Sequence, residues 1–250
     1  ALPVSVPTVL KLLREEGLWR PQRKVAEKKR DLREVKRRLK AFEKLQIDIK
    51  YLDDIPELYE EYRRHQLPRY QFTARCVRTG AIFIAYGREK SVTNAALFLL
   101  ALYRHFQGYG IRLEGSVVQT DNGTEFTAPW NSTKVTIFTK VVERCWHATH
   151  HRIPPGAKTF QSDVESSHRW IEEELYAAET FSSLHEFLSK AAAYQRWFNE
   201  KRVNTYKGGT PLHLMRETYP AVPADVLVFP PLILDNLLVQ YKAELAQWAA

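Results

Sequence analysis

The chain has 250 residues, 44% of them hydrophobic, which is enough for one substantial core with small appendages. No apolar run reaches the roughly 18 residues of a membrane span. The opening Ala1-Leu2-Pro3-Val4 has no charged leader ahead of an apolar stretch, so neither a spanning helix nor a secretory signal is expected. The chain does not begin with Met and is expected to be a piece of a longer protein with domains upstream. Cys76 and Cys145 form no CxxC pair, which points away from a zinc or disulfide framework and toward a reduced, cytoplasmic compartment. The net charge of +8 is concentrated between Arg20 and Lys44, where twelve basic side chains stand against four acidic ones. Such a segment beside a neutral remainder suggests contact with a phosphate backbone, led by Arg20, Arg23, Lys24, Lys28, Lys29 and Arg30. A solvated charged helix is the plain alternative.

Residues 5–16 read as a short helix, with Ser5 as cap, Pro7 in the first turn, an apolar stripe of Val9, Leu10, Leu12 and Leu13, and Gly17 as stop. Residues 22–42 read as a charged, helical linker. Leu45 to Tyr51 alternates apolar and polar, as a half-buried strand does. Residues 53–68 suit a loop or short helix. Phe72 to Val77 and Ala81 to Tyr86 form a hairpin turning at Thr79-Gly80. An amphipathic helix is expected over 92–107, and a strand over Val117 to Thr120 that runs into Asp121-Asn122-Gly123. Residues 134–144 suit either strand or helix, with helix preferred; Trp146 to His151 suits a fifth strand. Ile153 to Asp163 carries Pro154-Pro155-Gly156 and reads as loop. Helices follow over 164–178 and 181–199, and a short one opens at Thr210-Pro211. The tail from Ala221 is Pro-rich, then apolar, and reads as a small appended element. This order predicts an α/β fold, a mixed sheet flanked by helices.

Three carboxylates stand out. Asp48 interrupts an apolar strand, Asp121 ends another strand, and Glu165 opens a helix after a loop. Strand ends and helix starts are where such folds gather a site. Three converging carboxylates repel unless cations neutralise them, and hard divalent ions with oxygen ligands, Mg²⁺ first and Mn²⁺ next, answer that need. Two such ions in one site serve phosphoryl transfer. Each residue also has an ordinary reading: Asp48 on a polar strand face, Asp121-Asn122-Gly123 as a plain turn, Glu165 as a surface helix residue. The combination, rather than any single residue, is informative.

The segments Gln46-Ile47-Asp48-Ile49, Val118-Gln119-Thr120-Asp121-Asn122-Gly123-Thr124-Glu125-Phe126 and Glu165-Ser166-Ser167-His168-Arg169-Trp170 together resemble the catalytic core of the DDE transposases and retroviral-type integrases, in their bacterial insertion-sequence form. Trp197 to Arg202, followed by Thr210-Pro211, is similar to that family's C-terminal core segment, and Ser5 to Pro21 to the last helix of the helix-turn-helix that precedes it. The resemblance covers residues 5–218. It implies a ribonuclease-H-like core over 44–218, preceded by the end of a helix-turn-helix (1–21) and a basic linker (22–43), and followed by a C-terminal extension (219–250). It implies Asp48, Asp121 and Glu165 as catalytic residues holding two Mg²⁺ or Mn²⁺ ions. The implied chemistry is cleavage of DNA by water, then attack of the freed 3′-hydroxyl on target DNA, by a homo-oligomer assembled on DNA at a bacterial nucleoid.

Two departures matter. Glu165 follows Asp121 by 44 residues, longer than is usual in the family, with Trp130 to Lys134 as the expected insertion. The loop before the glutamate reads Gln161-Ser162-Asp163-Val164, which makes Asp163 a rival third ligand; Glu165 is preferred because Ser166, Ile171 and Leu175 fit the family's helix. Arg169, one turn after Glu165, is expected either to meet a DNA phosphate or to pair with a neighbouring glutamate, and His168 and Asn122 are weaker DNA-contact candidates. His147, His150 and His151 read as solvated or DNA-facing rather than as zinc ligands. A nuclease of the same fold without strand transfer, and an inactive DNA-binding scaffold, remain the competing functions.

Overall fold

The computed structural model describes residues 5–19, 25–129, 132 and 134–249. Arg20, Arg23 and Lys24, and most of the expected insertion at Trp130 to Lys134, lie outside them. The chain divides into two compact units, Ala1–Lys36 and Arg37–Ala250. In the first, α1 (Val6–Glu15) is capped by Ser5, whose side chain accepts from the Thr8 N–H. Gly17 ends it with φ of 67°, where the chain turns back so that Leu18 and Trp19 both donate to the Leu13 carbonyl. Val9, Leu10 and Leu13 are half-buried. Helix α2 (Val25–Arg38) carries the basic segment; Lys28, Lys29 and Arg30 lie on it.

The second unit is built on a five-stranded sheet: β1 (Lys44–Tyr51), β2 (Tyr70–Cys76), β3 (Ile82–Gly87), β4 (Val117–Thr120) and β5 (Thr149–Arg152), in the order β3-β2-β1-β4-β5. The first three strands pair antiparallel, and β1-β4-β5 pair parallel. The predicted hairpin turns at Gly80, with φ of 77°. Helix α3 (Pro56–His65) fills the stretch read as loop or short helix.

The strand period of two separates the sheet's faces. Leu45, Ile47, Ile49, Phe72, Ala74, Phe83 and Ala85 face one core, against α4 (Val92–Gly108), α5 (Ile137–Lys140) and α9 (Leu234–Ala249). Helix α5 continues through a π-helical turn, Val141–Cys145. The opposite face grades from apolar Ile82, Ile84 and Tyr86 on β3 to polar Gln71, Thr73 and Arg75 on β2, then Gln46 and Gln119 on β1 and β4, all buried. Helix α6 (Ser162–Ile171), extended by a second π-helical turn (Glu172–Tyr176), and α7 (Leu184–Glu200) cover this face. The alternation in β1 thus separates a hydrophobic core from a buried polar layer, not core from solvent. Buried polar groups mostly find partners: Tyr176 donates to Gln71, and Gln71 to Thr73 at 2.7 Å, whereas among the described residues Arg75 leaves Nε and Nη1 without a hydrogen bond and sets its guanidinium over the Trp170 and Phe198 rings.

Edge strand β3 is covered by side chains. Asn199 accepts from the Ile82 N–H (2.9 Å) and donates to the Ile82 and Leu227 carbonyls (2.8 Å each). Gln195 accepts from the Ile84 N–H at 2.7 Å, and Tyr86 N–H donates to the Leu232 carbonyl. The Trp197-to-Arg202 motif therefore contains an edge cover. Helix α8 (Pro211–Arg216) begins at its predicted Thr210 cap. The tail read as a small appendage packs into the first core: Leu234 and Leu245 are buried, and Asp235 accepts from the Arg88 N–H and Asn94. Among the described residues no helix is long and apolar enough to cross a membrane.

Candidate active site

Gln46 and Gln119 are direct partners across the parallel β1–β4 ladder. Two residues further along stand Asp48, inside β1, and Asp121, just past the end of β4, so the period of two brings both carboxylates to the α6-covered face of neighbouring strands, which lie roughly 4.8 Å apart. The turn after β4 is tightly specified. Asp121 Oδ1 accepts from the Gly123 N–H at 2.9 Å, and Asn122 Nδ2 donates to the Ile153 carbonyl at 2.8 Å. Asn122 therefore anchors the loop. A Cβ at Gly123 would stand 2.5 Å from the Glu125 carboxyl, so any larger residue there requires the Glu125 side chain to shift. Glu125 is buried and pairs with Lys90 at 3.1 Å.

Glu165 is solvent-exposed in the first turn of α6. The charges of these residues meet at Asp48. Burial pushes the Asp48 carboxyl up to about 7; the Ile49 N–H that it accepts opposes this, and the charges of Asp121, Glu165 and Glu125 add to it. Among the described residues, no three His, Cys, Asp or Glu side chains converge closely enough to clasp an ion as they stand. The donor set is all carboxylate oxygen, and a hard divalent cation beside Asp48 would relieve the repulsion that raises it; on that ground the residues fit Mg²⁺ or Mn²⁺.

Asp163, the rival ligand, is engaged elsewhere. Its carboxylate bonds Lys207 Nζ at 2.9 Å, both side chains being 10% exposed, and Lys207 also donates to the Val77 carbonyl. Arg169 is exposed and lies 3.7 Å from Glu173. His168, expected beside it at the surface, is instead buried: its Nδ1 lies 3.7 Å from Asp48 Oδ2, and burial, aided by the Lys50 charge, holds it neutral, pushed down to about 3. His150 is not solvated either. It bridges Thr120 (Nε2, 2.9 Å) and Thr139 (Nδ1, 2.8 Å), and burial pushes it down to about 4. His147 and His151 are exposed.

Glu125, Gln46, Gln119 and Gln161 stand within the sequence motifs with no role marked for them, and Lys90 lies outside every motif. The available signal was a glutamine two residues before each strand aspartate.

The sheet order, its mixed pairing and the helices on both faces make a ribonuclease-H-like fold. The chain is similar to one in the cryo-EM structure of the simian T-cell lymphotropic virus intasome in complex with PP2A regulatory subunit B56 gamma, with a TM-score of 0.53 and 16% identity over 75% of this chain and 59% of that one. The catalytic core domain of BIV integrase gives a TM-score of 0.47 and 19% identity over 71% of this chain and 96% of that one. No family model and no curated protein matches the sequence.

Proposed function

We propose that this chain is a DNA recombinase of the transposase or integrase kind, cutting DNA strands at element ends and joining them to target DNA. The observation that supports it most is the concentration of carboxylate charge around Asp48, on the strand that runs parallel beside the one ending at Asp121. Asp48, Asp121 and Glu165 would hold two divalent ions, which when bound activate the attacking oxygen and stabilise the leaving one. The chain's own residues do the rest. The Gly123 N–H aims the Asp121 carboxylate, and Asn122 fixes its loop to the residue after β5. Neutral His168 packs beside Asp48 without cancelling its charge. Arg169 stands one turn from Glu165; its exposed pairing with Glu173 is worth about 0–1 kcal/mol, so a DNA phosphate can replace it. The basic segment would track the backbone, with the enzyme acting as a homo-oligomer on DNA at the bacterial nucleoid.

The test is a strand-transfer assay with labelled duplexes carrying the element's ends, with Mg²⁺ or Mn²⁺. Asp48→Asn, Asp121→Asn and Glu165→Gln should each abolish cleavage and joining while DNA binding persists. Turnover by any of them removes that residue from the site. Cleavage without joining by the unmutated chain would make it a nuclease, and binding without chemistry a scaffold.

A further inference from the structure

The loop that delivers Glu165 is tied to the two aspartate strands by buried amides. Gln46 Nε2 donates to the Phe160 carbonyl at 2.7 Å, and Gln119 Nε2 donates to the same carbonyl at 2.8 Å. Gln119 Nε2 also donates to Gln161 Oε1 at 3.1 Å. Gln161 Nε2 reaches the Ile47 carbonyl at 3.3 Å, and Gln46 Oε1 accepts from the Val164 N–H at 3.1 Å. The three glutamines are 2%, 1% and 3% exposed, so no bulk water competes for these bonds.

These five bonds tie the three site-bearing elements together. The Gln46–Gln119 pair is in register, so its amides sit side by side, one residue pair inward of Asp48 and Asp121. Both grip one carbonyl in the loop before α6. The Val164 N–H, one residue before Glu165, is an orphan donor of the first helical turn and is satisfied by Gln46 rather than by a conventional cap. From the far side, the Asp163–Lys207 pair anchors the same turn. Helix α6 thus has no freedom to slide along the β1–β4 ridge without breaking several buried bonds together.

We propose that Gln46, Gln119 and Gln161 form an amide clasp that sets where Glu165 stands relative to Asp48 and Asp121. They are positioning residues, acting through the helix start; the consequence for turnover rests on the recombinase reading above. The clasp explains how a glutamate on a separate element, 44 residues after Asp121, is held in place by strands at a distance in sequence.

Gln46→Met and Gln119→Met remove the bonds while keeping side-chain length and volume. Gln161→Ala, in the loop rather than on a strand, is the second route if a strand variant fails to fold. Amide hydrogen exchange on the full chain reads the clasp without any chemistry. Residues 162–168 should exchange at least roughly tenfold faster in each variant, while β1–β4 amides keep their protection. With labelled duplex and Mn²⁺, kcat should fall about a hundredfold with the KM for DNA little changed, as misplacement of a catalytic group predicts. Glu165→Gln separates the two ideas: it should abolish turnover and leave exchange at 162–168 as in the unmutated chain. Unchanged exchange in the glutamine variants overturns the clasp whatever the enzyme does. Faster exchange with undiminished kcat overturns its positioning role. If the unmutated chain performs no DNA chemistry, the recombinase reading falls, and exchange alone decides the clasp.

Discussion

Lowering the pH through 7 should weaken divalent-ion binding, and the size of the effect follows from Asp48. Its carboxyl ionises near 7 rather than at 3.8, because burial and the charges of Asp121, Glu165 and Glu125 disfavour the charged form. A cation must displace that proton. For one proton released from a group near 7, the apparent affinity at pH 6 should be about tenfold weaker than at pH 8, whereas an ordinary aspartate would give no change in that window. His168 and His150, pushed down to about 3 and about 4, stay neutral across it and do not contribute. The assay is isothermal titration of the full chain with Mn²⁺ at pH 6, 7 and 8, in buffers of different ionisation enthalpy. About half a proton should be released per site filled at pH 7. A flat affinity with no proton release would refute the reasoning. The ion-free chain gives the sign from the other side. A carboxyl raised on folding is costly to ionise, so stability should fall as pH rises from about 4 to about 7, then level off. Asp48→Asn should therefore be the more stable protein at pH 8, and the difference should vanish at pH 4.

Asp163→Asn and Glu165→Gln should separate by phenotype: the first leaves a buried Lys207 without its partner and should lower stability by about 3–5 kcal/mol in denaturant titration, while the second should leave stability nearly unchanged. Equal stability of the two would remove Asp163 from its structural role. Asn199→Ala strips three bonds from buried backbone groups around β3 and should cost about 3–9 kcal/mol at roughly 1–3 kcal/mol per orphaned group; a loss under 1 kcal/mol would mean the edge is satisfied otherwise. Neutralising Lys28, Lys29 and Arg30 should flatten the dependence of DNA affinity on salt by about 0.9 log unit per lost phosphate contact, measured by fluorescence anisotropy, and an unchanged slope would make the segment a merely solvated helix.

Much of the architecture was readable where one period dominates. Strands β1 to β4 lie within two residues of their predicted bounds because β-branched and aromatic residues alternate there between turn signals. Helix α5 resolves the ambiguous stretch at 134–144, since Phe138, Val141, Val142 and Cys145 all bury on one side. The fifth strand starts three residues late: Trp146 is still buried at the end of the π-helical turn, and His147 takes a left-handed φ of 51° before extended chain resumes. Helix α6 starts two residues early, at Ser162, because Val164 borrows its hydrogen bond from Gln46, a partner 118 residues away that no local pattern reveals. The same long-range dependence hid the tail, whose helix α9 finds its apolar partner on α4. Of the site, the three carboxylates were legible as residue types in suggestive places; His168 and His150 were not, because the packing of α6 on β1 buries the first and that of α5 on β5 covers the second.

The π-helical turn at Glu172–Tyr176 closes with the Ala177 N–H donating five residues back to Glu172. It holds one residue more than a regular turn, and it is the last turn of the helix that opens beside Glu165; the buried Leu175 and Tyr176 lie within it. The extra residue sets the phase between the tethered start of the helix and this buried end. Removing one residue there would change that phase by about 100° and the separation by about 1.5 Å. The glutamines at one end and Leu175 and Tyr176 at the other could then no longer both keep their contacts, so this helix is less tolerant of insertion and deletion than of substitution.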